Sequence, residues 1–279
     1  MGKYITRRFF EMIITLFLIG TATFFLLGAI PGTAIDKKIQ KLPEATKQVV
    51  IEKYGYDKPI VERYFITLKN YIVNQEFGES IVRAGDTVSS IVKAKMPVSA
   101  RLGIQQILVG VTLGLLLGII AAMNRGKIVD YIILVGAMLF ASVPPLVLSL
   151  LLQKYMAKGA IFNLPIIGWP KGDELLFGGW KYTILPTLAG AGTYLAYYTR
   201  LMKTSMLDSI NQEYTLTARS KGLSEFAIVR KHVFRNSFIP IITVLAPLVV
   251  GLMTGSLVIE KIFSIPGIGS LLVTAIQSN

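Results

Sequence analysis

Apolar and polar residues alternate along this chain in long blocks rather than in the short periods of a soluble domain. Five apolar stretches, about 9–30, 98–123, 129–156, 183–207 and 238–259, are each long enough to cross roughly 30 Å of hydrocarbon as a helix. Between the first and the second lies a mixed-charge segment, 31–97, whose pattern predicts helices over Pro43–Lys53, Pro59–Asn74 and Thr87–Lys95. Gly103, Gly110, Gly114 and Gly118 predict close helix packing in the second stretch, and Gln105 and Gln106 beside them suit interhelical hydrogen bonds. Pro144–Pro145 falls near the middle of the third stretch, where missing donors and ring clashes predict a kink or an unwound turn; Ser142 and Ser149 are placed to satisfy the freed carbonyls. Trp169 and Trp180, in a Pro- and Gly-rich loop over 163–182, suit a membrane interface.

The longest polar interruption after the third stretch runs from Ser209 to Asn236. Ser209 with Gln212 three residues on predicts a capping box, Gly222 followed by Leu223 a left-handed helix stop, and Ser224 the cap of a second helix. Glu225 early and Arg230, Lys231 and Arg235 late complement that helix's dipole. Two short helices meeting at Gly222 are expected, with Leu223, Phe226, Val229 and Val233 forming an apolar stripe that needs a protein partner.

Composition narrows the class. With 53% hydrophobic and 16% charged residues and a mean hydropathy of +0.59, the chain is too apolar for a soluble domain. The net charge of +13 raises nucleic acid, but the cations flank apolar stretches or sit in the 209–236 island, and no nucleic-acid-binding motif is present. Lys3, Arg7 and Arg8 before the first stretch place the N-terminus in the cytoplasm. A cleaved signal peptide would have a shorter apolar region, so the first stretch reads as a retained span; Glu11 lies near enough to Arg7 and Arg8 to pair. The absence of cysteine removes disulfides and thiolate chemistry, and His232, the single histidine, has no metal-spaced second ligand.

The run Glu213-Tyr-Thr-Leu-Thr-Ala-Arg-Ser-Lys-Gly222-Leu-Ser-Glu225, followed by Arg230-Lys-His-Val-Phe-Arg-Asn236 and Pro240, resembles the cytoplasmic coupling loop of ABC-transporter permeases of the oligopeptide, dipeptide and nickel importer branch. Tyr54-Gly-Tyr-Asp-Lys-Pro59, Glu76-Phe-Gly-Glu-Ser80 and Glu260-Lys-Ile-Phe-Ser-Ile-Pro266-Gly-Ile-Gly269 resemble further segments of that branch. Against the general importer pattern, Leu216 stands where a Glu belongs and Arg235 where a Pro belongs, while Ala218 and Gly222 match. The resemblance implies an all-α polytopic membrane protein with the type I ABC importer fold. Its implied parts are a first span within 1–30, a small extracytoplasmic helical insertion over 31–97, three spans over 98–207, cytoplasmic coupling helices over 208–237, a fifth span over 238–260 and an extracytoplasmic segment over 261–279. It also implies a sixth span after Asn279, so the chain reads as shortened or naturally short.

By the same resemblance, the chain is half of a translocation pathway for oligopeptides in a bacterial or archaeal plasma membrane. Its implied partners are a homologous second permease, two ATP-binding subunits that use ATP and Mg, an extracytoplasmic peptide-binding protein that docks on the outer face, and the bilayer. The chain itself holds no Gly-x-x-x-x-Gly-Lys-Ser/Thr phosphate loop, and no cofactor of its own is expected. The implied ATPase interface is Leu223 and Phe226 for packing, Gly222 for the bend, and Glu213, Ala218, Arg219, Lys221 and Arg230 around them; lipid headgroups are the competing partner for the cations. Gln105 and Gln106 leave open a contact with a passing peptide. Nickel or another small solute is the alternative cargo. Outside the branch, a secondary transporter lacks the mid-span charges it needs, an intramembrane enzyme lacks its motifs, and a membrane scaffold is disfavoured by the coupling-loop pattern.

Overall fold

The computed structural model describes residues 2–29, 44–80, 85–157, 162–172, 174 and 178–277. Those residues are helical apart from turns and isolated bridges such as Glu79 with Thr87, and they fall into two compact units that divide after Ile91.

In the first unit, α1 (Gly2–Ala29) has no buried residue, and Ile5, Phe10, Leu16, Ile19 and Leu26 are all exposed. Beyond the charged first turns, where Arg7 and Arg8 pair with Glu11, the helix is apolar on nearly every side, and such a surface is covered by lipid or by other helices. α2 (Glu44–Tyr54) and α3 (Ile60–Ile72) follow. α3 rests on the end of α1, where Tyr64 Oη lies 2.7 Å from Thr21 Oγ1 and its ring 5.4 Å from Phe24 and Phe25. Gly28 permits that approach, since a Cβ there would lie 2.7 Å from Ile60 Cδ1. Of the predicted Pro43–Lys53 helix, Pro43 lies outside the described residues and the rest is α2; the Pro59–Asn74 helix is α3, with Pro59 as its N-cap.

The third expected helix, Thr87–Lys95, is corrected: it is the first part of α4 (Val88–Met123), which runs on without a break through Pro97 into the second apolar stretch. Thr87 Oγ1 accepts the Ser90 N–H at 3.1 Å and starts the helix, whereas Pro97 removes only one backbone donor.

The second unit contains the rest of α4, α5 (Ile128–Ser142), α6 (Pro145–Met156), α7 (Trp180–Ile210), α8 (Glu213–Ser220), α9 (Glu225–Ile228), a π turn (Val229–Val233), α10 (Phe234–Thr254), α11 (Leu257–Ile262) and α12 (Ile268–Gln277). α4 lies against α7 through a glycine seam: a Cβ on Gly110, Gly114 or Gly118 would fall 2.6, 2.7 and 2.6 Å from the carbonyls of Ala191, Leu195 and Thr199. The order of these pairs makes α4 and α7 parallel. Gln106 Nε2 donates to the Pro186 carbonyl at 3.1 Å and Thr187 Oγ1 to Gln105 Oε1 at 3.4 Å, so both glutamines join the helices as hydrogen-bond partners.

α5 and α6 are bent by 99° at the Pro144–Pro145 break, two helices rather than one kinked helix. Ser142 and Ser149 do not serve the carbonyls the prolines release; each hydroxyl bonds a carbonyl four residues back, Met138 and Pro145. Two core clusters sit along α7, one around Leu102, Leu185, Ile259 and Phe263, the other around Tyr198, Met202, Met206, Val233 and Ile241. Trp169 belongs to the first cluster, 5.3 Å from the Arg101 guanidinium, so only Trp180 stands exposed as an interface residue would. α1 and α4 are each long and apolar enough to cross a membrane, and the bent α5–α6 pair passes the same test as one broken span. The chain is a membrane protein.

Candidate functional site

The loop between α7 and α10 is organised by a helix stop at Gly222. Its φ of +76° is the left-handed geometry that costs a residue with a Cβ. Two bonds close the turn: Leu223 N–H to the Ala218 carbonyl at 3.3 Å and Gly222 N–H to the Arg219 carbonyl at 3.0 Å, the Schellman pattern. Ser224 caps the next helix, its side chain accepting the Ala227 N–H at 3.4 Å. Across the turn Arg219 grips Glu225 with two bonds, Nε to Oε1 at 2.7 Å and Nη2 to Oε2 at 3.0 Å. That hydrogen-bonded cation holds the Glu225 carboxyl below the usual carboxylate range.

The predicted capping box at Ser209 is corrected. α7 runs past that residue to Ile210, so Ser209 lies in a helix end rather than before a helix start. Its carbonyl instead accepts the Thr215 hydroxyl at 2.9 Å, and its hydroxyl accepts from Ser237 at 3.2 Å. Ser237 also lies 3.1 Å from the Ser205 carbonyl, so the base of the loop is tied to α7 at several points. The expected pair of short helices is corrected too. α8 is one, but α9 passes through the π turn directly into α10, because no breaker separates Phe226 from Phe238.

The apolar stripe divides in two. Val233 is fully buried, and Leu223 and Val229 pack partly against the second core cluster, whereas Phe226 is 70% exposed. Ala218 is buried in the same cluster. Glu213, Lys221 and Arg230 are exposed, and Arg219 is exposed but committed to Glu225. Tyr214 and Leu216, which the stripe analysis passed over, are exposed beside them in sequence; their signal was an apolar residue in a helix too short and polar to form a core.

In the first half of α7 a cleft of about 360 Å³ is lined by Ser99, Gly103 and Gln106 of α4, Gly190, Thr193 and Tyr194 of α7, Gly255 and Ser256 between α10 and α11, and the first turn of α11. Its polar groups are hydroxyls and an amide, with no charge at the wall. Glu260 stands directly behind it, fully buried. Ser99 Oγ donates to its Oε1 at 2.8 Å, the Ser256 N–H to Oε1 at 3.1 Å and the Ser270 N–H to Oε2 at 2.9 Å. Gly255, Gly267 and Gly269 line this carboxylate; a Cβ on any of them would fall within 3.0 Å of one of its oxygens. Gly255, at φ +72°, also ends α10, so the 238–259 stretch is not one helix.

A second buried acid lies midway toward the loop. Lys203 Nζ is 2.6 Å from Asp130 Oδ1 and 2.9 Å from Oδ2, with side chains 16% and 4% exposed, and the Gly126 N–H donates to Oδ2 at 3.1 Å. In the sequence Glu260 stood out only as the start of a family-like run, and Asp130 not at all. Their signal was an isolated acidic residue bordering an apolar run, where ionised groups are found paired or hydrogen-bonded.

A continuous helix, α7, joins the exposed loop to the neutral cleft. Comparison with known proteins agrees in extent. Residues 114–279 match the family described as binding-protein-dependent transport system inner membrane component, and residues 1–103 match its N-terminal companion. The dipeptide transport system permease protein DppB of Lactococcus lactis subsp. cremoris is 38% identical, over 100% of this chain and 88% of that protein. DppB of Bacillus subtilis is 37% identical over 99% of this chain and 86% of that protein, and the oligopeptide transport system permease protein OppB of Escherichia coli is 34% identical over 98% and 86%. On that similarity, this chain belongs to the inner-membrane component family of binding-protein-dependent transport systems and carries the type I ABC importer transmembrane fold.

Proposed function

We propose that this chain is one of two related permease subunits of an ATP-driven importer of peptides. It sits in the plasma membrane with its N-terminus inside, and takes its cargo from a binding protein outside. The peptide cargo rests on the similarity to the dipeptide and oligopeptide permeases. The observation that carries the coupling role is the loop after α7: a capped turn that leaves Phe226 70% exposed beyond the end of a helix reaching the cleft. An aromatic ring standing out of a charged loop is the kind of side chain that protein interfaces bury at their core.

In this reading Phe226 enters a groove on an ATP-binding subunit, where ATP and Mg act, and Glu213, Lys221 and Arg230 surround it. Leu223 and Ala218 act from beneath by holding the turn, and Arg219 by bracing it through Glu225. Motion of the ATPase pushes α8 and α9, and α7 and α10 carry the push toward the cleft. The chain has no native cysteine, so Phe226→Cys gives a single reactive site. In native membranes that thiol is expected to crosslink to an ATP-binding subunit, with a yield that changes on adding nucleotide. Labelling only from the outer face, or no ATPase among the adducts, would sink both the topology and the coupling role.

A further inference from the structure

We propose that Asp130 and Lys203 are a positioning pair that fixes the axial register of α7 against the α4–α5 hairpin, so that a push on the coupling loop moves these helices together. The inference rests on the coupling role proposed above.

The glycine seam holds α4 and α7 close, but it is degenerate along the axis. Its glycines recur every four residues at 110, 114 and 118, and the carbonyls they meet recur every four at 191, 195 and 199. Sliding α7 by one such repeat, roughly 6 Å of helix, sets glycine against carbonyl again and leaves much of the seam intact. Apolar contacts around it tolerate a slip better than directed bonds do, since they have no direction; the bonds of Gln106 to the Pro186 carbonyl and of Thr187 to Gln105 also mark a height, but they are neutral, join α4 to α7 without α5, and lie at the cleft rather than near the loop.

The ion pair has no such repeat. Lys203 meets Asp130 at 2.6 Å, and the same carboxylate accepts the Gly126 N–H. That N–H belongs to the tight turn joining α4 to α5, closed by Lys127 N–H on the Asn124 carbonyl at 2.9 Å. One carboxylate therefore ties the hairpin turn, the first turn of α5 and α7 at a single height. A slip would strand a buried acid and a partly buried cation, each without its counter-charge, which is unfavourable. A buried polar contact that selects one register among near-equivalent apolar ones is the best attested use of such a pair. Its position gives the selection a purpose: Lys203 lies two turns before Ile210, where α7 hands over to the loop. Without the pin, part of an axial push would be lost in sliding.

The test uses the importer complex purified from its own membrane. Spin labels on Ile132→Cys and Tyr197→Cys, both exposed positions of α5 and α7, read the register as a distance. The parent is expected to give one distance. Asp130→Leu with Lys203→Met replaces the pair by apolar side chains that keep helices packed. It is expected to broaden the distribution or add a second population, its distance shifted by up to about 6 Å. In vesicles, dialanine imported per ATP hydrolysed is expected to fall by roughly threefold or more, at unchanged thermal stability; Lys203→Arg, which keeps the charge, is expected to retain the parental distance. A single unshifted distance in the Leu/Met variant would overturn the register role. If the parent hydrolyses no ATP or imports no dialanine, the proposed function or its cargo fails, while the distances still decide the register.

Discussion

Two turns in this molecule join a glutamate to a left-handed glycine, and they solve opposite problems. At Gly222 the acid is Glu225, outside the fold, held by the Arg219 guanidinium in full contact with water. At Gly255 the acid is Glu260, wholly enclosed, held by a serine hydroxyl and backbone N–H groups and admitted by three glycines. Water screens the first pair, so the pair shapes the loop and contributes little to stability. The second carboxylate has no water to fall back on, so every donor around it matters. The lesson is that the same residue types, acid plus glycine, make an adjustable brace at one end of the bundle and a fixed joint at the other.

The largest test of that contrast is Gly267→Ala. Its Cβ would clash with both Glu260 Oε2 and Ser99 Oγ, so the carboxylate must leave its donors. A loss of about 3 kcal/mol or more is expected, read as a collapse of the thermal transition of the purified complex; an unchanged transition would remove the fixed joint. Next comes Gly222→Ala. Nothing lies within 4 Å of a Cβ there, so the whole cost is the left-handed backbone, about 1 kcal/mol. Faster amide exchange at Leu223 is the expected sign, with the far cleft unaffected.

The smallest effect is that of acid on the brace. The Glu225 carboxyl is held low by its hydrogen bond from Arg219, so the stabilisation is present above the ordinary value of 4.5 and fades as pH falls through the lower folded-state value. A carbon-13 titration of Glu225 should show the lowered midpoint and lose it in Arg219→Gln, while thermal stability near neutral pH barely changes.

How much of this was legible in the sequence follows from how local each feature is. The Gly222 stop and the Ser224 cap depend on a few neighbouring residues, and both appear as read. The glycine repeat in α4 announced close packing because its spacing is itself the geometry. Errors came where a helix end depends on what lies across the fold. Ser209 had the right chemistry for a cap, but packing against Ser237 and Thr215 keeps α7 helical through it. Pro97 had the right chemistry for a break, yet α4 absorbs it. The apolar stripe had the right period, but a loop tied down to α7 turns Val233 inward and leaves Phe226 outside. The roles of Glu260 and Asp130 were opaque for the same reason: the side chains that hold them, Ser99 and Lys203, lie 161 and 73 residues away along the chain.

The π turn at Val229–Val233 adds one more consequence. Five residues per hydrogen-bonded loop instead of four means one residue more than an α-helix needs. Each such residue is worth about 100° of rotation. The direction Phe226 faces is thus set as an angle by the number of residues between it and α10, so that the ring's aim depends on a count of residues as much as on any side chain of the loop.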